Sequence, residues 1–327
     1  MRVAILDDFA NIVRTLNCFE KLQGHEVTVW NDHVADPDVL AARLADVEAV
    51  VLMRERTPVD EALLARLPGL RLISQNGHVP HIDLEACTRH GVMVCSAQGG
   101  RPSYCTVELA WGLILASMRH LVHEAEALRG GRWQSTMGLG LRGRTLGIFG
   151  FGKLGSMMAP IARAFGMQVL VWGREGSLAR ARSAGLAVAP GRQALFEQAD
   201  VLTLHLRLNA ETRGLIGPDD LALMKPSAVL VNTSRAELIR PGALVAALKS
   251  GRPGHAALDV FEREPLEDPQ EPLLNLPNAI CTPHLGYVER DNFEFGYGNA
   301  FDQIVAYASG APIHVRNPEV LQTGAMR

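Results

Sequence analysis

The sequence of 327 residues is poor in cysteine and has neither a long apolar run nor an excess of charge of one sign. Its five cysteines are Cys18, Cys87, Cys95, Cys105 and Cys281. They form no CxxC pair and leave an odd thiol, which argues against both a disulfide framework and a zinc site. We therefore expect a reducing, cytoplasmic location and no bound metal.

Charge and hydropathy argue against two further classes of partner. Lys and Arg number 32 against 35 Asp and Glu, so the net charge of -3 gives no global reason to bind nucleic acid or an acidic membrane surface. The longest apolar stretch, residues 109–117, is too short to span a bilayer. The expected partners are small molecules or a second copy of the chain.

Two ordinary domains fit a chain of this length with 47% hydrophobic residues. In the first hundred residues, strands are expected at 3–6, 27–30, 49–53, 70–74 and 92–95, with helices at 36–45 and 60–67. This alternation predicts a parallel sheet covered on both faces. A helix over residues 104–119 then begins a second part of the chain.

The alternation of strands and helices restarts at residue 145. Strands are expected at 145–149, 168–172, 201–204, 228–232 and 255–259, with helices at 153–165, 219–224 and 241–249. Pro241 would occupy a first-turn position in the last of these helices. The pattern is typical of a doubly wound dinucleotide-binding domain.

A final helix over residues 290–308 has no partner of its own and is expected to pack on the N-terminal domain. The expected fold is therefore α/β, with two doubly wound parallel-sheet domains and a cleft between them. The substrate domain would comprise residues 1–99 and 290–327, and the dinucleotide-binding domain residues 100–289.

A glycine motif directly follows the first strand of the second domain and opens a helix. It reads Gly150, Phe151, Gly152, Lys153, Leu154 and Gly155. The first glycine permits a tight turn, the second lets the backbone approach a pyrophosphate, and the third lets helix and strand pack closely. Free N–H groups at the start of the helix favour an anion. We assign these six residues to the binding of a dinucleotide.

The end of the next strand bears on the choice between NAD and NADP. NAD-specific folds usually place an acidic side chain there, about 20 residues past the motif, to bind the ribose 2′-hydroxyl. This chain has Gly173 and Arg174 instead, and Arg174 could pair with a 2′-phosphate. NADP is therefore favoured and NAD is retained; a solvated arginine at a strand end is the alternative interpretation of Arg174.

Three polar residues, Arg235, Glu264 and His284, follow expected strands of the second domain. Ligands of open parallel sheets lie beyond the carboxyl ends of the strands, so these residues can converge on one crevice. Histidine ordinarily titrates near neutrality, as a general acid or base requires, and arginine grips a carboxylate in two places. Taken singly, Arg235 could instead form a structural ion pair, Glu264 could be a surface charge, and His284 could cap a turn.

Around these residues the sequence resembles the D-isomer-specific 2-hydroxy-acid dehydrogenases, a family that includes hydroxypyruvate and glyoxylate reductases, phosphoglycerate dehydrogenases and formate dehydrogenases. The resemblance runs through residues 54–57, Gly99 and Gly100, the glycine motif, and the motifs at 259–261 and 282–284. It implies a flavodoxin-like substrate domain and a Rossmann domain. It also implies hydride transfer between NAD or NADP and a small 2-keto or 2-hydroxy acid.

The resemblance implies roles for individual residues. Arg235 would bind the carboxylate and carbonyl of the substrate, His284 would act as acid and base, and Glu264 would orient His284. A glutamine in place of Glu264 would have suggested formate oxidation, so its absence argues against that branch of the family.

Four residues at strand ends are assigned to the cofactor: His205, Thr233, Ser234 and Asp259. The resemblance places Asp259 near the nicotinamide carboxamide. For His205, structural packing is the alternative interpretation.

The substrate loop departs from the family pattern. The family usually has Gly-x-Gly-Val-Asp-Asn-Ile-Asp, whereas residues 76–83 read Asn-Gly-His-Val-Pro-His-Ile-Asp. Asn76, Gly77, His78 and, earlier in the chain, Arg54 are expected to bind the substrate. Asn76 and His78 would narrow the pocket or add side-chain contacts; alternatively, the loop follows the family's backbone path with different side chains.

Two expectations concern the whole molecule. The helix over residues 104–119 resembles the dimer element of the family, so a homodimer is expected. The rival function is that of a co-repressor-type protein that senses NAD(P) on the same fold. The chain shows no extended low-complexity tail, and the set of Arg235, Glu264 and His284 favours the enzyme.

Overall fold

The computed structural model describes residues 1–98 and 104–323. The strands in this part of the chain are β1 (Arg2–Ile5), β2 (Glu26–Val29), β3 (Ala49–Val51), β4 (Leu72–Asn76), β5 (Met93–Ala97), β6 (Thr145–Phe149), β7 (Gln168–Trp172), β8 (Ala187–Val188), β9 (Val201–Leu204), β10 (Val229–Asn232), β11 (His255–Leu258) and β12 (Ala279–Cys281). The α-helices are α1 (Pro37–Leu44), α2 (Glu61–Leu64), α3 (Leu84–Arg89), α4 (Tyr104–Met118), α5 (Leu121–Arg129), α6 (Lys153–Ala164), α7 (Glu175–Ser183), α8 (Arg192–Gln198), α9 (Pro218–Ala222), α10 (Ala243–Ser250) and α11 (Arg290–Ala308).

The chain divides into two compact units, of which the first comprises Met1–Arg101 and Glu289–Arg327. Its strands form a parallel sheet in the order β2-β1-β3-β4-β5. Strands β3 and β5 are buried throughout and β4 nearly so, as is usual where helices cover both faces of a parallel sheet. One face packs around a core that includes Leu40, Leu63 and Ile73.

Acidic side chains begin the helices of this unit. Asp36, Asp60 and Asp83 accept backbone N–H groups in the first turns of α1, α2 and α3, and Glu289 does the same for α11. Each cap satisfies donors that a helix leaves unpaired and contributes about 1 kcal/mol.

Helix α11 packs on β4 from the face opposite that core. Ser74 follows Ile73 in β4 and therefore points to the other face of the sheet. Its Oγ lies 2.8 Å from the carbonyl oxygen of Ala300 and 2.7 Å from Oε1 of Gln303, so α11 is fixed to β4 by buried hydrogen bonds. Beyond α11, Val315 forms an antiparallel bridge with Cys95 in β5.

The second compact unit, Pro102–Val288, contains a parallel sheet in the order β12-β11-β10-β9-β6-β7-β8. One core cluster includes residues of α4 and α6, and another includes residues of α8, α9 and α10. The strand order reverses between β6 and β9. Ligands of doubly wound sheets bind beside such a switch point, outside the carboxyl ends of the strands.

The two parallel sheets confirm the predicted α/β class. Strand bounds differ from the predicted ones by up to two residues, and α3, α5, α7, α8 and β8 were not predicted. One detail was wrong: Pro241 is not in the first turn of α10, because Gly242, with φ +72°, precedes that helix. The expectations for Gly99 and Gly100, and the first domain boundary, fall on residues 99–103, outside the described part of the chain.

No single described helix is long and apolar enough to cross a membrane. Helices α4 and α5 together have the length and composition of a membrane span, but the chain bends by 59° between them.

Candidate active site

The glycine motif forms the turn between β6 and α6. Gly150 has φ +96°, and a Cβ there would lie 2.5 Å from the carbonyl oxygen of His205. A Cβ at Gly155 would lie 2.1 Å from the carbonyl oxygen of Gly150. Both positions therefore require glycine, the first for its dihedral angle and its close neighbour, the second for its close neighbour alone.

The start of α6 is open where the turn faces outward. A Cβ at Gly152 would meet no atom within 4 Å, and no side chain caps the first turn of the helix. Lys153 and Leu154 occupy that first turn. The carbonyl of Phe151 is held by Nε of Arg180 at 3.0 Å. Open backbone and an uncapped helix start suit a pyrophosphate.

The end of β7 brings a basic side chain to the same edge of the sheet. Gly173 lies beside the motif, since its Cβ would be 3.5 Å from Cα of Gly150. The next residue, Arg174, pairs with Glu211 at 2.5 Å, and the two side chains are 67% and 76% exposed. Arg174 is therefore accessible to a ligand and is held by an exposed carboxylate.

His284 and Glu264 form a hydrogen-bonded pair. Nδ1 of His284 lies 2.5 Å from Oε2 of Glu264, and the side chains are only 16% and 21% exposed. The second oxygen of Glu264 accepts the backbone N–H of Phe261 at 3.0 Å. Glu264 is thus fixed at both oxygens, and with Nδ1 engaged, the other ring nitrogen of His284 is the one available to a substrate.

Asp259 holds the turn that carries His284. Asp259 is fully buried, and its carboxylate accepts Thr282 Oγ1 at 2.5 Å and the backbone N–H groups of Leu285 and Gly286, both at 2.7 Å. Burial raises the pKa of Asp259, and these hydrogen bonds oppose that rise. His284 itself has φ +53°, a conformation that this network maintains.

Arg235 follows β10, which neighbours β11, the strand that leads to Asp259 and Glu264. Asn232, the last residue of β10, donates its amide to the Arg235 carbonyl at 2.8 Å and accepts the Ser234 N–H at 3.0 Å. Ser234 Oγ donates to the carbonyl of Leu204 in β9 at 2.7 Å. The turn before Arg235 is therefore fixed to two strands.

Two enclosed polar atoms near these turns have no hydrogen-bond partner among the described residues: Thr233 Oγ1 and His205 Nδ1. The other nitrogen of His205 lies 2.9 Å from Thr203 Oγ1. Burial lowers the pKa of His205 to about 4, so the ring is neutral near pH 7. Unpartnered atoms of this kind are suited to binding a polar ligand.

The loop at residues 76–78, which the sequence predicts to bind the substrate, is held at several points. Gly77 has φ +101°, and its carbonyl accepts Ser96 Oγ at 2.5 Å and Gln98 Nε2 at 2.6 Å. Gln75 Nε2 donates to the carbonyl of His78 at 2.7 Å, leaving the His78 side chain exposed.

The side chains of Asn76 and Arg54 are also in the first unit. Asn76 accepts a hydrogen bond from Asn299 of α11, whose Nδ2 lies 3.0 Å from Asn76 Oδ1. Arg54 follows β3 and is exposed. Its backbone has φ +63°, which is rare for a residue other than glycine. Strained backbone of this kind often marks functional sites.

The structure brings together part of the set that the sequence predicted. His284 and Glu264 are in contact, Arg235 follows a neighbouring strand, and the glycine turn lies against His205. Sequence reasoning missed the fixing of the Asp259 carboxylate to the turn of His284, and it missed Arg180 and Asn299. No group of three or more His, Cys, Asp or Glu residues that could hold a metal occurs in residues 1–98 and 104–323.

Comparison with known proteins identifies the family. Residues 111–286 match the model of the D-isomer specific 2-hydroxyacid dehydrogenase, NAD binding domain. The chain belongs to the D-isomer-specific 2-hydroxyacid dehydrogenases. It is therefore an oxidoreductase that transfers a hydride between a nicotinamide cofactor and a small 2-hydroxy or 2-keto acid.

This dehydrogenase is similar in sequence to enzymes of two kinds, glyoxylate reductases and D-3-phosphoglycerate dehydrogenases. It is 36% identical over 311 residues to the glyoxylate reductase of Aeropyrum pernix, covering 91% of each chain. It is 37% identical over 250 residues to the D-3-phosphoglycerate dehydrogenase of Methanocaldococcus jannaschii, covering 76% of this chain and 47% of that enzyme. Among solved structures, phosphoglycerate oxidoreductase from Vibrio cholerae o395 matches with a TM-score of 0.90 and 50% identity, over 95% of this chain and 100% of that one.

Proposed function

We propose that this dehydrogenase reduces a small 2-keto acid with NADPH, using Arg235, Glu264 and His284. The observation that carries the proposal is the 2.5 Å contact between Glu264 Oε2 and His284 Nδ1 at the carboxyl edge of the sheet. A histidine fixed by a carboxylate at one ring nitrogen presents the other nitrogen for proton transfer.

The three side chains would divide the work as follows. Arg235 would bind the substrate carboxylate and stabilise the charge that develops on the carbonyl oxygen. The protonated His284 would donate the proton from Nε2 to that oxygen while Glu264 keeps hold of Nδ1. In the reverse direction the neutral ring would take the hydroxyl proton back. A bound nicotinamide cofactor supplies the hydride that reaches the α carbon.

The residues of the second unit fit such a cofactor. The open space at Gly152 and the uncapped start of α6 suit its pyrophosphate. We propose that all six residues of the glycine motif, with Ser234, surround it, and that Thr233 Oγ1 and His205 Nδ1 bind its polar groups. Asp259 would act beside the nicotinamide chiefly by holding the turn of His284.

NADP is proposed as the preferred cofactor over NAD. Arg174 is exposed beside the glycine turn, and glycine at 173 removes the acidic side chain that would repel a 2′-phosphate. Binding would exchange the Glu211 partner of Arg174 for the phosphate, which carries more charge.

In the first unit, the loop of Asn76, Gly77 and His78, together with Arg54, is proposed to bind the acid substrate. The carbonyl of Gly77 is already engaged by Ser96 and Gln98, so this loop keeps its shape without a ligand. A loop held in advance loses less conformational entropy when it binds. We propose residues 1–99 with 290–327 as the substrate domain and 100–289 as the cofactor domain.

A homodimer is proposed from the region after α4. Leu121, Leu128, Trp133 and Met137 are exposed large apolar side chains within a short stretch, with Trp133 77% and Met137 90% exposed. Apolar side chains concentrated in this way mark an interaction surface, and sedimentation equilibrium would give the oligomeric state. All five cysteines are free thiols, which supports a reducing, cytoplasmic location.

The proposed function is tested by measuring turnover with both cofactors. Glyoxylate and hydroxypyruvate reduction and 3-phosphoglycerate oxidation would be followed with NADPH or NADH and their oxidised forms. Reduction of at least one keto acid is expected. Tight cofactor binding with no turnover of any 2-keto or 2-hydroxy acid would overturn the proposal and favour a co-repressor-type binding protein.

A further inference from the structure

Two polar contacts join β4 to α11, and they lie at different positions along the strand. The first, between Ser74 and the pair Ala300 and Gln303, is buried and lies in the middle of the strand. The second, between Asn76 and Asn299, lies at the carboxyl end of β4, where the substrate loop begins.

The two contacts match in register. Ser74 and Asn76 are two residues apart in a strand and share a face, and their separation is about 7 Å. Asn299 and Gln303 are four residues apart in a helix and share a face, with a rise of about 6 Å. Asn299 therefore meets Asn76 directly once Gln303 is fixed at Ser74.

The contact determines the orientation of the Asn76 carboxamide. Its Oδ1 accepts from Asn299 Nδ2 at 3.0 Å, so its own Nδ2 is left as a donor. That nitrogen lies 3.8 Å from the place that a Cβ of Gly296 would take, one helical turn nearer the start of α11. Glycine at 296 thus places no side chain of its own against this nitrogen, and Asn76 remains only half-buried.

We propose that Asn299 is a positioning residue for substrate recognition: it holds Asn76 so that Nδ2 donates to an oxygen of the acid substrate. This rests on the proposed function of the substrate loop. It names a side-chain donor that the family's usual glycine at this position cannot supply, and it selects acids whose carboxylate or keto oxygen reaches Nδ2.

The test is a double-mutant cycle on the substrate KM. Asn299→Ala frees the Asn76 carboxamide to rotate and should raise KM for the keto acid about fivefold, with kcat changed less than twofold. Asn76→Ala should raise KM by a similar or larger factor. In the Asn76→Ala background, Asn299→Ala should have no further effect, because the side chain that it positions is gone.

Ser74→Ala is the matched control. It removes the other contact between β4 and α11, so it should lower the melting temperature while leaving KM within twofold of the wild-type value. If Asn299 only stabilised the helix, Asn299→Ala would likewise lower the melting temperature without changing KM. Additive effects in the cycle, or an unchanged KM in Asn299→Ala, would overturn the proposal. A wild-type enzyme inactive on every keto acid would instead overturn the proposed function itself.

Discussion

The role of Arg174 in cofactor choice leads to a quantitative prediction. A hydrogen bond between charged groups contributes about 1.5 to 3 kcal/mol. The Arg174 side chain is 67% exposed, so the lower end of that range applies. Arg174→Ala should therefore cost about 1.5 kcal/mol with NADPH, or about tenfold in kcat/KM, and should leave NADH nearly unchanged.

Glu211 supplies a second perturbation in the opposite direction. It pairs with Arg174 at the position where a 2′-phosphate would compete, and an exposed pair contributes about 0 to 1 kcal/mol. Glu211→Gln should therefore raise the preference for NADPH by up to about fivefold. Introducing an acid at Gly173 would be a less direct test, because its Cβ would lie 3.2 Å from Cβ of Ser177.

The assay compares kcat/KM for NADPH and NADH in the wild type and in both variants at one ionic strength. Arg182→Ala is the matched control, since Arg182 lies on α7 in another exposed ion pair, with Glu175. It should change neither value. A wild type that prefers NADH, or an equal loss for both cofactors in Arg174→Ala, would refute the assignment to the 2′-phosphate.

Three further predictions concern the histidines and Arg235. His284→Ala should lower kcat about a hundredfold, the usual effect of losing a general acid and base, and near-normal steady-state turnover would remove it from the mechanism. Arg235→Lys keeps the charge but loses the planar fork, so KM for the keto acid should rise more than the dissociation constant of the cofactor measured by fluorescence; the reverse order would show that its role was misassigned. His205 has a pKa of about 4 in the folded chain against an ordinary 6.5, so the unfolded state binds more protons between these values and stability falls as the pH drops below 6.5. The difference in unfolding free energy between pH 7.5 and pH 5, measured with urea, should therefore be about 2 kcal/mol smaller in His205→Asn than in the wild type. Substitution of the exposed His123 should leave this difference unchanged. Equal pH dependence in the wild type and His205→Asn would contradict the prediction.

Local patterns explain why much of the fold could be predicted. An apolar run such as residues 145–149, when a glycine motif and a helical pattern follow it, is typical of a buried strand that leads into a turn and a helix. For this reason β6, the turn and α6 were predicted almost to the residue. The start of α10 was mispredicted because proline is compatible with a first helical turn as well as with the preceding loop. Gly242, in the left-handed region, moved the start past Pro241.

The site was predictable where residues follow strands. Glu264 and His284 could be paired because the carboxyl ends of parallel strands share one edge of the sheet. Asn299 gave no such signal, since it lies inside a helix and its partner Asn76 is 223 residues away. The carboxylate of Asp259 was expected beside the cofactor, but its contacts with Leu285 and Gly286 depend on the path of a turn that sequence does not specify.

The return of α11 to β4 also has a consequence for synthesis of the chain. The second unit is one continuous segment and can complete its sheet soon after residue 288 is made. The first unit cannot be completed until α11 has been synthesised. At usual rates of translation that delay is roughly 10 to 40 s after β5 has been synthesised. During this interval the face of β4 that carries Ser74 has no helix to cover it. We therefore expect a ribosome-bound chain that stops before residue 289 to expose this strand to chaperones and proteases.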